Sequence, residues 1–181
     1  STLLNSGFFE ITTNSLTTNK LRNFSYWDNE KTVEMVNKLS DEHAILKQKL
    51  LFTSLDSIRY NINRKQKNLK FFEFDKAYSL EEKEYKESSK IGIYITGLKQ
   101  EEHFVNKPEN VSFFDVINIT NKVLNIARIS DFETKPKADS KTLDMCVEII
   151  SNGVVLGEIG MVKKEILKTF EISQDVYHAC L

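Results

Sequence analysis

Between Leu39 and Tyr78 the chain reads LSDEHAILKQKLLFTSLDSIRYNINRKQKNLKFFEFDKAY, and no other stretch restricts the fold so much. Leu46, Leu50, Leu51, Leu55, Ile58 and Ile62 fall on one stripe of an amphipathic helix, predicted from Ser40 to Arg64. Lys47, Lys49, Asp56, Arg59 and Asn63 then form its polar face. Arg64-Lys65-Gln66-Lys67-Asn68 breaks the apolar period where cations are favourable, at a helix C-terminus, and a strand from Lys70 to Tyr78 follows. A helix of about 25 residues would be roughly 37 Å long, more than one small sheet covers. Part of the stripe is therefore expected to meet another helix, which makes Leu50, Leu51, Leu55 and Ile58 candidates for interface or core.

Both ends of the chain look cut. Thr2 to Ser6 resembles the last turn of a helix closed by Gly7, and Val176 to Leu181 is an apolar strand that stops without a polar tail. The expectation is a single domain, 1–181, taken from a longer polypeptide. Its 181 residues are 40% hydrophobic, enough for one core. A net charge of −1 gives no positive field that would drive binding to nucleic acid or membrane. No apolar run approaches the roughly 20 residues of a membrane span. Cys146 and Cys180 are read as buried free thiols in a reduced, cytoplasmic setting.

The remaining elements are mixed in kind. Strands are predicted at Phe8 to Leu16 and Thr32 to Asn37, with a polar loop from Thr17 to Asn29 that delivers Tyr26 and Trp27 to a surface. Leu80 to Lys90 reads as a solvated hairpin loop, and Ile91, Ile93 and Ile95 line one face of a strand. Phe113, Val116, Ile117, Thr120, Val123, Leu124 and Ala127 form a helical stripe, with Ser112 as N-cap and Asp115 in the first turn. Leu143 to Ile150 and Val154 to Val162 flank Asn152-Gly153, the preferred pair for a two-residue hairpin turn. A short helix is predicted from Lys163 to Phe170. Antiparallel strands with helices that need only one sheet face argue an α+β fold.

The order Leu39-Ser40, Asp41-Glu42, Lys47, Leu50-Leu51, Asn61-Ile62-Asn63-Arg64 and Phe72-Glu73 resembles the bacterial phenylalanine–tRNA ligase β subunit, in its C-terminal catalytic-like domain. The likeness continues through Gly7-Phe8-Phe9-Glu10, Phe113-Phe114-Asp115 and Gly157-Glu158-Ile159-Gly160. That family usually has Arg at the place of Lys47 and Pro-Gly at the place of Phe52-Thr53, so a straighter helix is expected here. The resemblance implies an antiparallel sheet flanked by helices, like that of class II aminoacyl-tRNA synthetases. It implies a non-catalytic module whose helix joins a counterpart on the α subunit in an α2β2 assembly. ATP and magnesium would be held by that α subunit, and tRNA would be contacted by the whole enzyme.

Chemistry-bearing motifs are sparse. No glycine-rich phosphate loop occurs. Active class II synthetases bind ATP with an Arg two positions before a strand Glu and with a second Arg after a glycine-rich strand. Here the first position is Phe71, and the residues after Gly160 supply only Lys163 and Lys164. His43, His103 and His178 are isolated, and no metal site is predicted. Cys180 and His178 share a strand face without a third group to orient a base. Glu73 and Asp75 also share a face, and a solvent face or a salt bridge to Arg or Lys is preferred over acid–base work. No catalytic residue is assigned. The alternative function is an RNA-binding module that uses the basic elbow of Arg64, Lys65 and Lys67.

Overall fold

The computed structural model describes residues 2–38, 40–99 and 108–181; Leu39 and His103 of the sequence reading lie outside them. The chain opens with a helical turn, α1 (Thr2–Asn5), which Gly7 ends at a positive φ of 79°. Two short strands follow, β1 (Phe9–Glu10) and β2 (Leu16–Thr17). β3 (Ile45–Leu46) pairs with β2 and leads into helix α2 (Leu50–Asn63). The long hairpin β4 (Leu69–Glu81) and β5 (Glu84–Thr96) comes next, then helix α3 (Phe113–Ile126). The last part holds β6 (Glu133–Pro136), β7 (Leu143–Ser151), β8 (Val154–Val162), α4 (Lys164–Thr169) and β9 (Val176–Cys180).

Seven strands form one sheet in the order β1-β4-β5-β9-β8-β7-β6, antiparallel except where β1 runs parallel to β4. The last strand in sequence is thus a central one, paired to β5 from Gly92 to Thr96 and to β8 from Glu158 to Met161. Its position explains its composition, since Val176 and Ala179 are fully buried.

Helices cover both faces of this sheet, where the strand pattern was read as needing only one. Leu51, Leu55 and Ile58 of α2 and Ile166 of α4 pack with Phe71, Tyr94 and Val162 on one side. Val116, Ile119 and Leu124 of α3 pack with Phe72, Ile93, Ile159 and Ala179 on the other. Phe71 and Phe72 are therefore adjacent in sequence and buried in opposite layers, because neighbouring strand residues point to opposite faces. α3 follows its predicted stripe and starts with a capping box between Ser112 and Asp115.

Three other readings are corrected. The predicted helix from Ser40 begins only at Leu50: Asp41–His43 is a 3-10 turn, Ile45–Leu46 a strand, and Lys49 is extended at φ −137° and ψ 140°. At 14 residues it is short enough for its own sheet to cover. Thr32 to Asn37 forms no strand beyond an isolated bridge from Glu34 to Ile45. Tyr26 and Trp27 are buried rather than delivered to a surface; both rings pack against Phe52, and Trp27 Nε1 donates to Thr32 Oγ1 at 2.8 Å.

The stretch read as a solvated loop, Leu80 to Lys90, is instead the continuation of β4 and β5 around a two-residue turn. Glu82 and Lys83 both take positive φ, 50° and 70°, as Asn152 and Gly153 do in the β7–β8 hairpin. Only the second pair has a turn signature. Side chains with a Cβ and no local hydrogen-bonding benefit pay roughly 1–2 kcal/mol each for that conformation. Replacing both, E82N with K83G, is expected to raise unfolding stability by about 1 kcal/mol, read as a higher denaturant midpoint with an unchanged slope.

Candidate functional site

Glu73 sits in the middle of β4 with no exposed surface, on the face that α2 covers. A buried carboxylate needs partners for each oxygen, and here three segments supply them. Thr13 donates twice to Oε1, from its backbone N–H at 2.8 Å and its hydroxyl at 2.6 Å. Ser54 of α2 donates to Oε2 at 3.0 Å. Lys47, also fully buried, places Nζ 3.4 Å from Glu73 Oε1, 2.7 Å from Asp75 Oδ2 and 2.9 Å from Thr13 Oγ1. Burial acts to raise the Asp75 carboxyl, but the hydrogen bond and charge of Lys47 together with the backbone N–H and charge of Lys76 outweigh this and hold it below the usual range.

Glu73 and Asp75 thus share one face and one ammonium group; of the two arrangements expected from the sequence, the salt bridge occurs, and the solvent face does not hold for the buried Glu73. Lys47 had been placed on the polar face of a helix, and its role was missed. The signal available was the two acidic positions in β4, which require a cation once both sheet faces are covered.

Further along the same face lies a cavity of about 240 Å³ lined by Lys49, Lys137, Glu158 and His178 among others. Glu158 accepts from Lys49 at 3.3 Å and Lys137 at 3.5 Å, and Lys137 also reaches Glu148 at 3.0 Å. Burial tends to raise the Glu158 carboxyl, but those two ammonium groups prevail and lower it. His178 lines the cavity at 3% exposure, stacked on Tyr94 with centroids 4.7 Å apart, and its Nδ1 lies 3.1 Å from the Ile93 carbonyl oxygen. Desolvation lowers His178 to about 4 and pushes the Cys180 thiol up to about 11. Both groups are neutral near pH 7, so they do not form a thiolate–imidazolium pair. Both cysteines are free thiols.

Other predicted positions fall elsewhere. Leu50, Leu51, Leu55 and Ile58 are exposed by no more than 1%, and the last three pack in the core against this chain's own sheet. The shortened helix leaves none of that stripe over for a partner. Arg64, Lys65 and Lys67 form an exposed elbow, with the Arg64 guanidinium 3.4 Å above the exposed Tyr60 ring. Phe71, at the place of the first ATP-binding Arg, is a core residue at 6% exposure. Lys163 caps the start of α4, and Lys164 is exposed in its first turn. His43 is exposed beside Ser40. Among the described residues no group of three His, Cys, Asp or Glu side chains is placed to hold a metal ion, and no helix is long and apolar enough to cross a membrane.

This layered arrangement is the fold of a class II aminoacyl-tRNA synthetase. Pyrrolysyl-tRNA synthetase of Desulfitobacterium hafniense superposes with a TM-score of 0.73 over 99% of this chain and 61% of that one, at 16% identity. A second structure of that enzyme matches equally, at 15% identity over 99% and 63% of the two chains. The chain belongs to the family described as the phenylalanyl tRNA synthetase beta chain CLM domain, which matches residues 1–181. Among its relatives, the phenylalanine–tRNA ligase β subunit of Porphyromonas gingivalis W83 is 31% identical over 98% of this chain, and that of Bacteroides thetaiotaomicron is 31% identical over 99%. The chain spans 23% of the length of each.

Two outcomes are expected from the buried groups. Lys47→Met, which strands the Glu73 charge in the core, should destabilise the fold by about 3–5 kcal/mol in urea unfolding, and adding Glu73→Gln should recover part of that loss. The unfolded chain protonates a histidine near pH 6.5 but folded His178 only near 4, so lowering the pH through this window favours unfolding. The associated loss is about 3 kcal/mol. His178→Phe, which keeps a ring against Tyr94, should flatten the stability slope between pH 6.5 and 4.

Proposed function

We propose that this chain is the catalytic-like, non-catalytic module of a phenylalanine–tRNA ligase β subunit, and that it works by assembling with the α subunit. The observation that carries the reading is the fate of the Phe71-Phe72-Glu73 strand. Phe71 lies in the core where an active enzyme of this fold would present a phosphate-binding Arg, and Glu73 is enclosed by Thr13, Ser54 and Lys47. An aromatic ring cannot make the bidentate charged contact of a guanidinium, and an enclosed carboxylate cannot reach a substrate. In this reading ATP and magnesium are bound by the α subunit of a cytoplasmic α2β2 enzyme that attaches phenylalanine to its tRNA.

With the α2 stripe consumed by the core, the assembly surface is drawn from apolar side chains left in solvent. Leu4 of α1, Phe9 of β1 and Phe114 at the start of α3 are 49%, 68% and 72% exposed, and α1 packs against both other elements. The second reading, RNA contact through the elbow, is supported by the Arg64–Tyr60 stack beside Lys65 and Lys67. It involves fewer groups and no wider positive field.

Co-purification with the matching α subunit tests the assembly role. The wild-type chain should form a complex, and Leu4→Asp with Phe9→Asp should lose it while circular dichroism is unchanged. Leu51→Asp should instead unfold the domain. The isolated chain should give no ATP–pyrophosphate exchange; measurable exchange would contradict a non-catalytic module, and a folded wild type that binds no α subunit would remove the assembly role.

A further inference from the structure

We propose that the cleft between the outer side of α2 and residues 14–24 binds an uncharged planar base that carries an amino group, as in cytidine or adenosine. This goes beyond the assembly role and does not depend on it. The cleft follows from strand pairing: β2 joins β3 in a sheet of its own and not the main one, so the segment that carries it forms a separate wall opposite α2. The volume enclosed is about 740 Å³, within the roughly 300–1,000 Å³ of small-molecule sites. Its other walls are the turn at 42–43 and the end of α4, and none comes from α1, β4 or β9. Phe71 and Glu73, the positions that correspond to an ATP site, do not line it.

A column of rings selects a planar ligand. Phe24 stacks on Tyr26 with centroids 5.0 Å apart and planes within 5°, Tyr26 on Phe52 at 5.3 Å, and Phe52 on Phe170 at 6.3 Å. Tyr26 and Phe52 are buried in the middle of the column, whereas Phe24 is half-buried and lines the cleft. Tyr26 covers one face of Phe24, which leaves the other to a further ring. Charge selects against ions. Among the acidic and basic residues that line the cleft, Lys20 and Arg59 balance Glu42 and Asp56, so no net field draws in a phosphate or a polyamine.

The polar wall selects the amino group. Three hydroxyls that line the cleft spend their protons on backbone carbonyls: Thr53 donates to Leu50 at 3.1 Å, Ser57 to Thr53 at 3.5 Å and Thr169 to Glu165 at 3.0 Å. What they offer a ligand is acceptor lone pairs. The Arg59 guanidinium is taken up by Asp56 at 3.0 Å and Glu171 at 3.7 Å. Asp56 accepts that bond through Oδ1, yet desolvation still raises its carboxyl against the pull of Arg59, so a further donor beside it is favourable. An exocyclic amino group presents N–H donors in the plane of a stacked ring, whereas the carbonyl in its place in uridine or inosine presents none.

Calorimetric titration of the chain with cytidine, uridine, adenosine and inosine, with the phenylalanine ring resonances followed by NMR, tests the site. Cytidine and adenosine should bind saturably, each about tenfold more tightly than its carbonyl counterpart, and should move the Phe24 ring protons. A 5′-phosphate on cytidine should not tighten binding. Phe24→Leu should weaken binding about tenfold. Asp56→Ala, at an exposed helix position, should remove the preference for cytidine over uridine without altering the unfolding transition. A single-stranded UUCUU that binds at least as tightly as cytidine assigns the site to an unpaired RNA residue, and one that binds more weakly assigns it to the free nucleoside. The site is overturned by the absence of saturable binding for every nucleoside, by uridine and inosine binding as well as their amino counterparts, by cytidine 5′-phosphate binding more tightly than cytidine, or by binding that Phe24→Leu and Asp56→Ala leave unchanged. None of these outcomes bears on co-purification with the α subunit, so the two proposals fail separately.

Discussion

The enclosed Glu73–Lys47 pair is the constraint around which one half of the molecule is arranged. Glu73 holds Thr13 from the segment after β1, Ser54 from α2 and Lys47 from the approach to α2, three pieces of chain separated by up to 60 positions. Each donor is needed, since a buried carboxylate loses several kcal/mol of hydration that only charge and hydrogen bonds restore. Lys47 is also fixed through its backbone, with its N–H on Ser15 and its carbonyl accepting from Tyr78. Its side chain thus enters the core at one angle, which sets where the following residues turn into α2.

That anchoring explains why α2 starts late. A helix continued backward through Lys47 would rotate its ammonium away from β4, and would remove the extended backbone that pairs Ile45–Leu46 with β2. One buried ion pair with its strand bridges outweighs the helical propensity of the preceding residues. The shortened helix then fits its sheet, and Phe52 fills the gap between Tyr26, Trp27 and Phe170.

Patterns with a single physical meaning were legible in the sequence. The α3 stripe with its Ser112–Asp115 box, the Asn152-Gly153 turn and the β9 strand all depend on local spacing, and each element occurs close to its expected place. What was not legible depended on distant partners. The Leu46–Ile62 spacing suits a helix throughout, and only the tertiary position of Glu73 shows that its first part is a strand. Glu82-Lys83 carries no turn residue, and its geometry is imposed by a thirteen-pair ladder between β4 and β5. For the candidate site, Glu73 with Asp75 was visible as a paired face; the Lys47 that serves both was not, because it comes from a segment 26 positions before Glu73.

One face of the sheet shows how charged positions are absorbed into packing. On the strand that carries Phe71 and Glu73, the position suited to a guanidinium holds a ring and the carboxylate is turned to an internal lysine, so this end of the sheet is sealed. Further along the same face Glu158 gathers the ammonium groups of Lys49 and Lys137. The buried imidazole of His178 is held there by its hydrogen bond to the Ile93 carbonyl and its stack on Tyr94.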